Sequence, residues 1–334
     1  MKLGWLALLT LCCALFSLGV GRFQVPITHS LMILLEPLTG QHYAGIDAVV
    51  QRQVILGVRL PRVLLAMGAG AALALCGAAL QGVFRNPLVD PHIIGVSSGA
   101  AFGGTLAILL SLPLAALLLS AFVFGMAALL LIFTLTSVIA RRNILSLVLA
   151  GVILSGFFSA CVSLMQYLAD TEEKLPSIVF WLLGSFATAD RQKLLMLFLP
   201  LLLAGGLLLA LRWRINLLSL GDEDAGALGI NVERTRWLIL TLCAAIVAAQ
   251  VAVSGSIGWV GLVIPHVARR LVGPDHRRLL PASLCLGALY MLLIDDLART
   301  LSSSEIPLGI LTALIGAPLF ALLLRRAQVR GWHD

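Results

Sequence analysis

Charged residues are scarce, at 12% of the 334 positions against a hydrophobic share of 60%. A soluble domain carries roughly 25% charge, so the deficit excludes a water-facing surface over most of the chain. Lysine is confined to Lys2, Lys174 and Lys193, and none of these follows a glycine. The phosphate-cradling pattern G-x-x-x-x-G-K-[ST] is absent, as are H-E-x-x-H and G-x-S-x-G. These absences exclude a P-loop, a zincin helix and a nucleophile elbow. No cysteine stands at metal-ligand spacing from a histidine. Cys12, Cys13, Cys76, Cys161, Cys243 and Cys285 all fall in apolar runs, as small packing residues do. Acids are missing from the middle of those runs. The deepest are Asp295 and Asp296, four and three residues before Arg299, which is ion-pair spacing on one helix face. A proton- or sodium-driven carrier needs titratable groups at mid-membrane, so the pattern argues against one.

What is present is a succession of apolar runs, at 3–21, 63–82, 93–111, 114–139, 145–168, 194–211, 236–254, 257–272, 279–298 and 307–324. A membrane helix takes roughly 20 residues. The expectation is an all-α, polytopic membrane protein of about ten spans, a single unit over residues 1–334. The first run has the look of a signal peptide but lacks an A-x-A-like cleavage site, and it is read as a retained span. An even number of spans puts both ends on one side. With the N-terminus inside, 15 of the 23 Lys+Arg fall in inner segments and 8 in outer ones. That bias places both termini in the cytoplasm. The net charge of +7 is then a matter of basic loops facing an anionic leaflet rather than of nucleic acid.

Three connections are long. In 22–58, HYAGIDAVVQRQVILGV reads as a helix lying on the membrane surface. Segment 169–193 has an apolar middle too short to span, which reads as a re-entrant or interfacial helix. Segment 212–235, RWRINLLSLGDEDAGALGINVERT, is the longest cytoplasmic element. Leu217, Leu218 and Leu220 are apolar where a loop should be polar. Gly221 can turn the chain, and Asp222, Glu223 and Asp224 complement the dipole of a short helix that follows. Two readings stand: a loop folded back on the bundle, or a helix-turn-helix lever gripped by a separate ATPase. On the outer side Arg59, Arg62 and Arg299 run against the charge bias. They either snorkel to the interface or meet an acidic partner. Ser254 to Gly258 and Pro265 interrupt the eighth run, which is tolerated only where protein or a cavity satisfies the backbone. Gly68, Gly70, Ala74, Gly77 and Ala78, then Gly95, Ser98, Gly99 and Gly103, invite close helix packing.

RLPR, GAALQGVFRNPLVDPHIIGVSSGA, LSLGDEDAGALGI, GSIGWVGLVIPHVARRLVGPDHRRLLP and EIPLGILTALIGAPLF together resemble the FecCD family, over nearly the whole chain and in order. These are permeases of bacterial ABC importers for iron-siderophores, haem and cobalamin. The resemblance implies a type II ABC importer permease: a homodimer in the inner membrane, two ATP-binding-cassette subunits that use ATP and Mg, and a periplasmic substrate-binding protein. The chain itself would hold no cofactor or metal and would be no enzyme. By motif match, Arg59, Arg62 and Arg299 would dock the binding protein. Asn86 and Leu88 would form a cytoplasmic gate, with a second gate at Arg142 to Ser146 that includes Asn143, where RRNILS departs from the cobalamin permease. Leu218, Leu220, Gly221, Asp222, Glu223, Asp224, Ala225, Leu228 and Gly229 would couple to the ATPase. The fifth span would line the pathway with Phe158, Ser159, Ser163, Met165 and Gln166, beside Ser155, although hydrogen bonding within the helix explains its polar residues equally well. Iron-siderophore leads as cargo on family abundance, ahead of haem, cobalamin and molybdate. The rival of another class is an ATPase-independent secondary transporter or channel.

Overall fold

A computed structural model describes residues 2–21, 23, 25–40, 47–138, 144–302 and 304–329. The described residues are helical, joined by turns, with no strand among them. In chain order the helices are α1 (Lys2–Gly19), α2 (Ile27–Thr39), α3 (Ala48–Arg52), α4 (Leu60–Val83), α5 (Val96–Leu109), α6 (Leu114–Val138), α7 (Ile144–Leu168), α8 (Lys174–Leu183), α9 (Arg191–Ala210), α10 (Arg212–Leu220), α11 (Asp222–Ala227), α12 (Val232–Ser254), α13 (Val260–Val272), α14 (His276–Thr300) and α15 (Leu308–Val329). Each of the ten expected spans coincides with one helix: α1, α4, α5, α6, α7, α9, α12, α13, α14 and α15. Seven helical stretches among the described residues are long and apolar enough to cross a bilayer alone. α5 and α13 are shorter, at 14 and 13 residues.

α4 is the axis of the bundle, packed on α14, α12, α13 and α9. Its middle is built from glycine and alanine because two neighbours pass at backbone distance. A Cβ on Gly70 would lie 2.0 Å from the Gly287 carbonyl of α14, and one on Gly77 would lie 2.0 Å from the Gly261 carbonyl of α13. α5 meets α6 the same way, with Gly103 against the Ser120 backbone and the Ser120 hydroxyl donating to Gly103 O at 2.8 Å. The small-residue runs are therefore crossing points. The thiols are all free, with Cys76 and Cys243 in this core. On the outer helices leucines face away from the chain, among them Leu145 and Leu149 of α7 and Leu199 and Leu202 of α9. Large exposed aliphatics are what a lipid-facing or copy-facing surface presents.

The long connections depart from expectation in part. Residues 48–59 do not form a separate surface helix. They run unbroken into α4, giving one helical stretch, Ala48–Val83, through a π-helical segment Gln53–Arg59. The reason lies at Pro61, which has no N–H and whose ring crowds the carbonyl four residues back. Widening the preceding turn relieves that clash without ending the helix. α2 was not foreseen; it packs through Ile33 against Ile55 and Val25. α8 is a ten-residue helix whose Trp181 ring lies on Gly104 of α5.

The break before α13 is confirmed, but Pro265 sits inside that helix without ending it. Residues 255–258 are non-helical and Trp259 has φ +72°. The freed polar groups are answered locally. Ser185 N donates to Ser254 O at 3.1 Å, and Leu308 N donates to Gly184 O at 3.0 Å. Gly255 turns at φ +73°, and a Cβ there would fall 2.0 Å from Trp181 O.

The crossing at Gly70 yields a test. Gly70→Val should lower the thermal midpoint of the purified protein and broaden its size-exclusion peak, since overpacking costs about 1–3 kcal/mol or more. Gly206→Val, with nothing within 4 Å of its Cβ, should leave both measurements unchanged.

Candidate functional site

Three constellations lie along the bundle. The first stands where α1 and α14 end and α4 begins. Arg62 forks onto two carboxylates: Nε and Nη2 donate to Asp295 Oδ1 at 3.0 and 2.9 Å, and Nη1 and Nη2 donate to Glu305 Oε1 and Oε2 at 2.7 and 3.0 Å. Arg299 donates to Ser17 O at 2.8 Å, to Val20 O at 2.7 Å, and to Asp296. Arg59 donates to Leu18 O at 2.6 Å and to Phe23 O. Two guanidiniums thus take the carbonyls that α1 leaves unpaired at its C-terminal end.

The three arginines expected at the docking surface are turned inward. Arg59, Arg62 and Arg299 are only 5%, 7% and 7% exposed. Arg62 and Arg299 meet Asp295, Glu305 and Asp296 while Arg59 is held by carbonyls alone, and the three positive and three negative charges sum to zero. The cause is that the chain end of α1 and the buried Asp295 need cationic donors more than solvent does. The spacing rule had paired Asp295 with Arg299. That contact is 3.7 Å, while the closer partner of Asp295 is Arg62, far away in sequence.

The second constellation lies at the opposite end. α10 and α11 form a hairpin turned at Gly221, φ +131°, which is a conformation that favours glycine. Among the expected coupling residues, Leu218, Gly221 and Ala225 are buried and hold the hairpin to the bundle. Glu223, Asp224 and Gly229 are exposed, and Leu220 and Leu228 are each 58% exposed. The tip therefore offers two leucines and acids outward. Asp222 is exposed but faces back: its Oδ1 accepts from the buried Arg236 of α12 at 2.7 Å and lies 3.7 Å from Arg85 Nη2.

Arg85 opens the turn that follows α4 and holds φ +51°. Asn86 comes next and uses its side chain to build the turn, with Oδ1 accepting from Leu88 N at 2.9 Å. Asn86 and Leu88 both face outward. Asn143 and Arg142 of the expected second gate lie outside the described residues. Gln81 fastens the turn from within, its Nε2 donating to Val89 O and Gly261 O at 3.3 Å each while Oε1 accepts from Arg269 at 3.0 Å. On the hairpin's other flank Asn216 donates to Asp275 Oδ1 at 2.6 Å and accepts from His276 N at 2.8 Å. Asn216 and the backbone N–H of Arg277 hold the Asp275 carboxyl below the usual carboxylate range. Arg85, Arg236, Gln81 and Asn216 were not singled out from sequence. The only sequence signal was the adjacency of Arg85 to the Asn-Pro-Leu turn.

The third is a cavity of about 330 Å³ between α5, α7 and the break before α13. Ser97, Ser98, Ser159, Ser163, Ser256 and His92 supply its polar lining, and no carboxylate does. His92 Nε2 donates to Ile257 O at 3.1 Å, and its N–H to Asp90 Oδ1 at 2.9 Å. The Ser97 hydroxyl is buried and has no hydrogen-bond partner. Ser159 and Ser163 border this cavity, and the Ser163 hydroxyl donates within its own helix to Ser159 O at 3.0 Å, as the intrahelical alternative has it. Phe158 does not: it is buried and stacks on Phe102 at 5.9 Å. Met165 and Gln166 are half-buried and outside the lining.

The sequence model of the FecCD transport family matches residues 8–326. The molybdate import system permease protein MolB of Haemophilus influenzae is 54% identical over 329 residues, 98% of this chain and 96% of that protein. The hemin transport system permease protein HmuU of Yersinia pestis is 40% identical over 341 residues, 99% and 97% of the two chains. A solved structure of a transporter assigned to the metal-chelate ABC type, in an inward-facing conformation, superposes with TM-score 0.88 at 53% identity, covering 97% of this chain and 98% of that one.

The arginine cluster makes a prediction of its own. Arg62→Met strands Asp295 as a buried charge and should cost about 3–5 kcal/mol, read as a large drop in thermal midpoint. Arg62→Met with Asp295→Leu should regain most of it. Equal midpoints for the single and double variants would show that Arg62 does not act through Asp295.

Proposed function

The chain belongs to the FecCD transport family, and from that membership we propose that it is the permease subunit of an ATP-driven importer in a bacterial inner membrane. The working assembly holds two copies of the chain, two ATPase subunits and a periplasmic binding protein. The observation that supports this most is the hairpin of α10 and α11. Its exposed tip is apolar and acidic, and Asp222 behind that tip reaches toward Arg85, beside the Asn86 and Leu88 turn. A subunit that grips the tip on binding ATP moves Asp222, and the ionic contact passes the displacement to the turn. The two turns of a dimer then open or close the inner end of the pathway.

The charge bias puts the hairpin end and both termini in the cytoplasm. The binding protein docks at the other end. There Arg59, Arg62 and Arg299 support the docking surface from beneath, and Glu305, 34% exposed along its side chain, is a cluster member that faces out.

For cargo we favour a tetrahedral oxyanion of the molybdate kind over the iron-siderophore that family abundance puts first. The 54% identity to a permease named for molybdate supports this. So does the cavity beside α7. Its Ser97 hydroxyl is unpartnered and available to an anion oxygen, its lining carries no carboxylate, and Ser97 and Ser98 stand in the first turn of α5, where backbone N–H groups are unpaired. A second reading, an iron or other metal chelate, is favoured by the likeness to the metal-chelate type transporter; haem and cobalamin are further alternatives.

Proteoliposomes holding the permease, its ATPase and its binding protein should accumulate molybdate only when ATP is supplied. Uptake without the ATPase would instead establish a secondary transporter or channel, and ATP-dependent uptake of a ferric chelate but not molybdate would reverse the cargo order. Asp222→Asn should reduce uptake per ATP hydrolysed by up to about fivefold, the loss expected for an exposed ion pair worth up to about 1 kcal/mol, with assembly intact. Ser97→Ala with Ser159→Ala should slow molybdate uptake several-fold and leave ATP hydrolysis unchanged.

A further inference from the structure

Lys2 of α1, Arg212 of α10, Arg269 and Arg270 of α13, and Arg277 and Arg278 of α14 line one cavity of about 720 Å³ at the hairpin end of the bundle. No aspartate or glutamate lines it. The transport cycle described above makes no use of this space.

The direct contacts of four of these cations are with neutral groups. Lys2 donates to Leu271 O at 2.9 Å, Arg270 to Leu323 O at 2.9 Å and Arg269 to Gln81 Oε1 at 3.0 Å. The Arg277 guanidinium lies over the Trp213 ring, 5.5 Å from its centroid. Asp275, on the connection between α13 and α14, spends its carboxylate on Asn216 and on the Arg277 backbone. Six like charges around one concavity repel one another; among the described residues Asp275 acts on Arg277 and Arg278 from beside the cavity and no carboxylate lines it, so an anion seated within would relieve the repulsion. Arginine forks suit phosphate oxygens, and lysine adds a point charge.

The cavity also has apolar walls, from Leu3, Val272 and Pro281. It opens beside α1, whose Leu8, Leu9 and Leu11 are exposed on the outside of the bundle. Trp5 of α1 is 68% exposed and Trp213 of α10 is 54% exposed. Tryptophans of this kind mark the headgroup level of a bilayer. A basic recess at that level, with an apolar stripe running away from it, matches a lipid rather than a soluble protein.

We propose that this cavity is a binding site for an anionic phospholipid, its phosphate-bearing headgroup held by the six cations and its acyl chains lying along α1. A headgroup with two phosphates matches the number of cations best. The site ties α1 to α13 and α14 at the end where the coupling hairpin begins.

Native mass spectrometry of the full-length protein, extracted from nanodiscs of phosphatidylcholine with or without diphosphatidylglycerol, tests it. One diphosphatidylglycerol per chain should be retained, and the thermal midpoint should rise. Arg277→Gln with Arg278→Gln should cut retention by about tenfold or more at an unchanged midpoint in phosphatidylcholine alone. Arg270→Lys should keep the lipid, which guards against mistaking misfolding for lost binding. Retention indifferent to these charges would overturn the proposal. So would inorganic pyrophosphate in detergent raising the midpoint as far as the lipid does, since the ligand would then be a soluble phosphate. Displacement of the lipid by the ATPase subunit would also overturn it, by making the cavity a protein contact. None of these readouts depends on cargo or on transport.

Discussion

Backbone-to-backbone contact along α4 is the constraint on which the other parts depend. In lipid, apolar side chains gain little by leaving their surroundings for one another, so helices are held by dense packing and by polar contacts. Gly70 against Gly287 and Gly77 against Gly261 bring α14 and α13 as close to α4 as helices can come. That proximity places Arg62 beside Asp295 at one end and Gln81 beside the start of α13 at the other. A wider spacing at either crossing would strand a buried charge or an amide.

The two ends of α4 solve opposite problems with the same chemistry. At its start, guanidiniums are turned inward, matched by carboxylates and by the last carbonyls of α1, and the result is neutral and closed. At its finish, Arg85 and Asp222 meet where both are partly exposed, at a distance of 3.7 Å. A tight, buried ion network resists displacement, whereas a loose, wetted one can lengthen and re-form. The stiff end suits a fixed platform, and the loose end suits a joint between a lever and a turn.

Much of the architecture was legible from sequence, because length and hydropathy alone decide which segments can span a bilayer. All ten runs became helices, and the acidic, leucine-bearing segment became a hairpin turned at the glycine that was expected to turn it. What escaped was pairing between distant positions. Arg62 and Asp295 are 233 residues apart, and no local rule joins them. The outward-charge argument therefore put three arginines on the surface when a helix end and a buried aspartate had drawn them inside. The burial of Leu218 and Phe158 escaped for a related reason: period and composition show that a helix is amphipathic or apolar, but not which face meets the neighbour. The serines of α7 stood out because polar residues at helical spacing need a cavity or a partner, whereas nothing near Ser97 in sequence marks its hydroxyl as unpaired.

The unbroken stretch Ala48–Val83 has 36 residues. At 1.5 Å per residue it extends about 54 Å, and the hydrocarbon layer covers only about 30 Å. A little over two further turns remain on each side if it stands centred, and more on one side if α4 ends near the headgroups. The upstream portion is buttressed by Arg52, whose Nε and Nη2 grip Glu36 of α2 at 3.1 and 2.6 Å. A helix of this length outreaches the hydrocarbon layer if it stands upright, and the excess falls on the part braced by α2 if α4 ends near the headgroups. That braced excess gives the arginine end of the bundle a stiff vertical edge, which the opposite end, closed by a short turn after Val83, does not have.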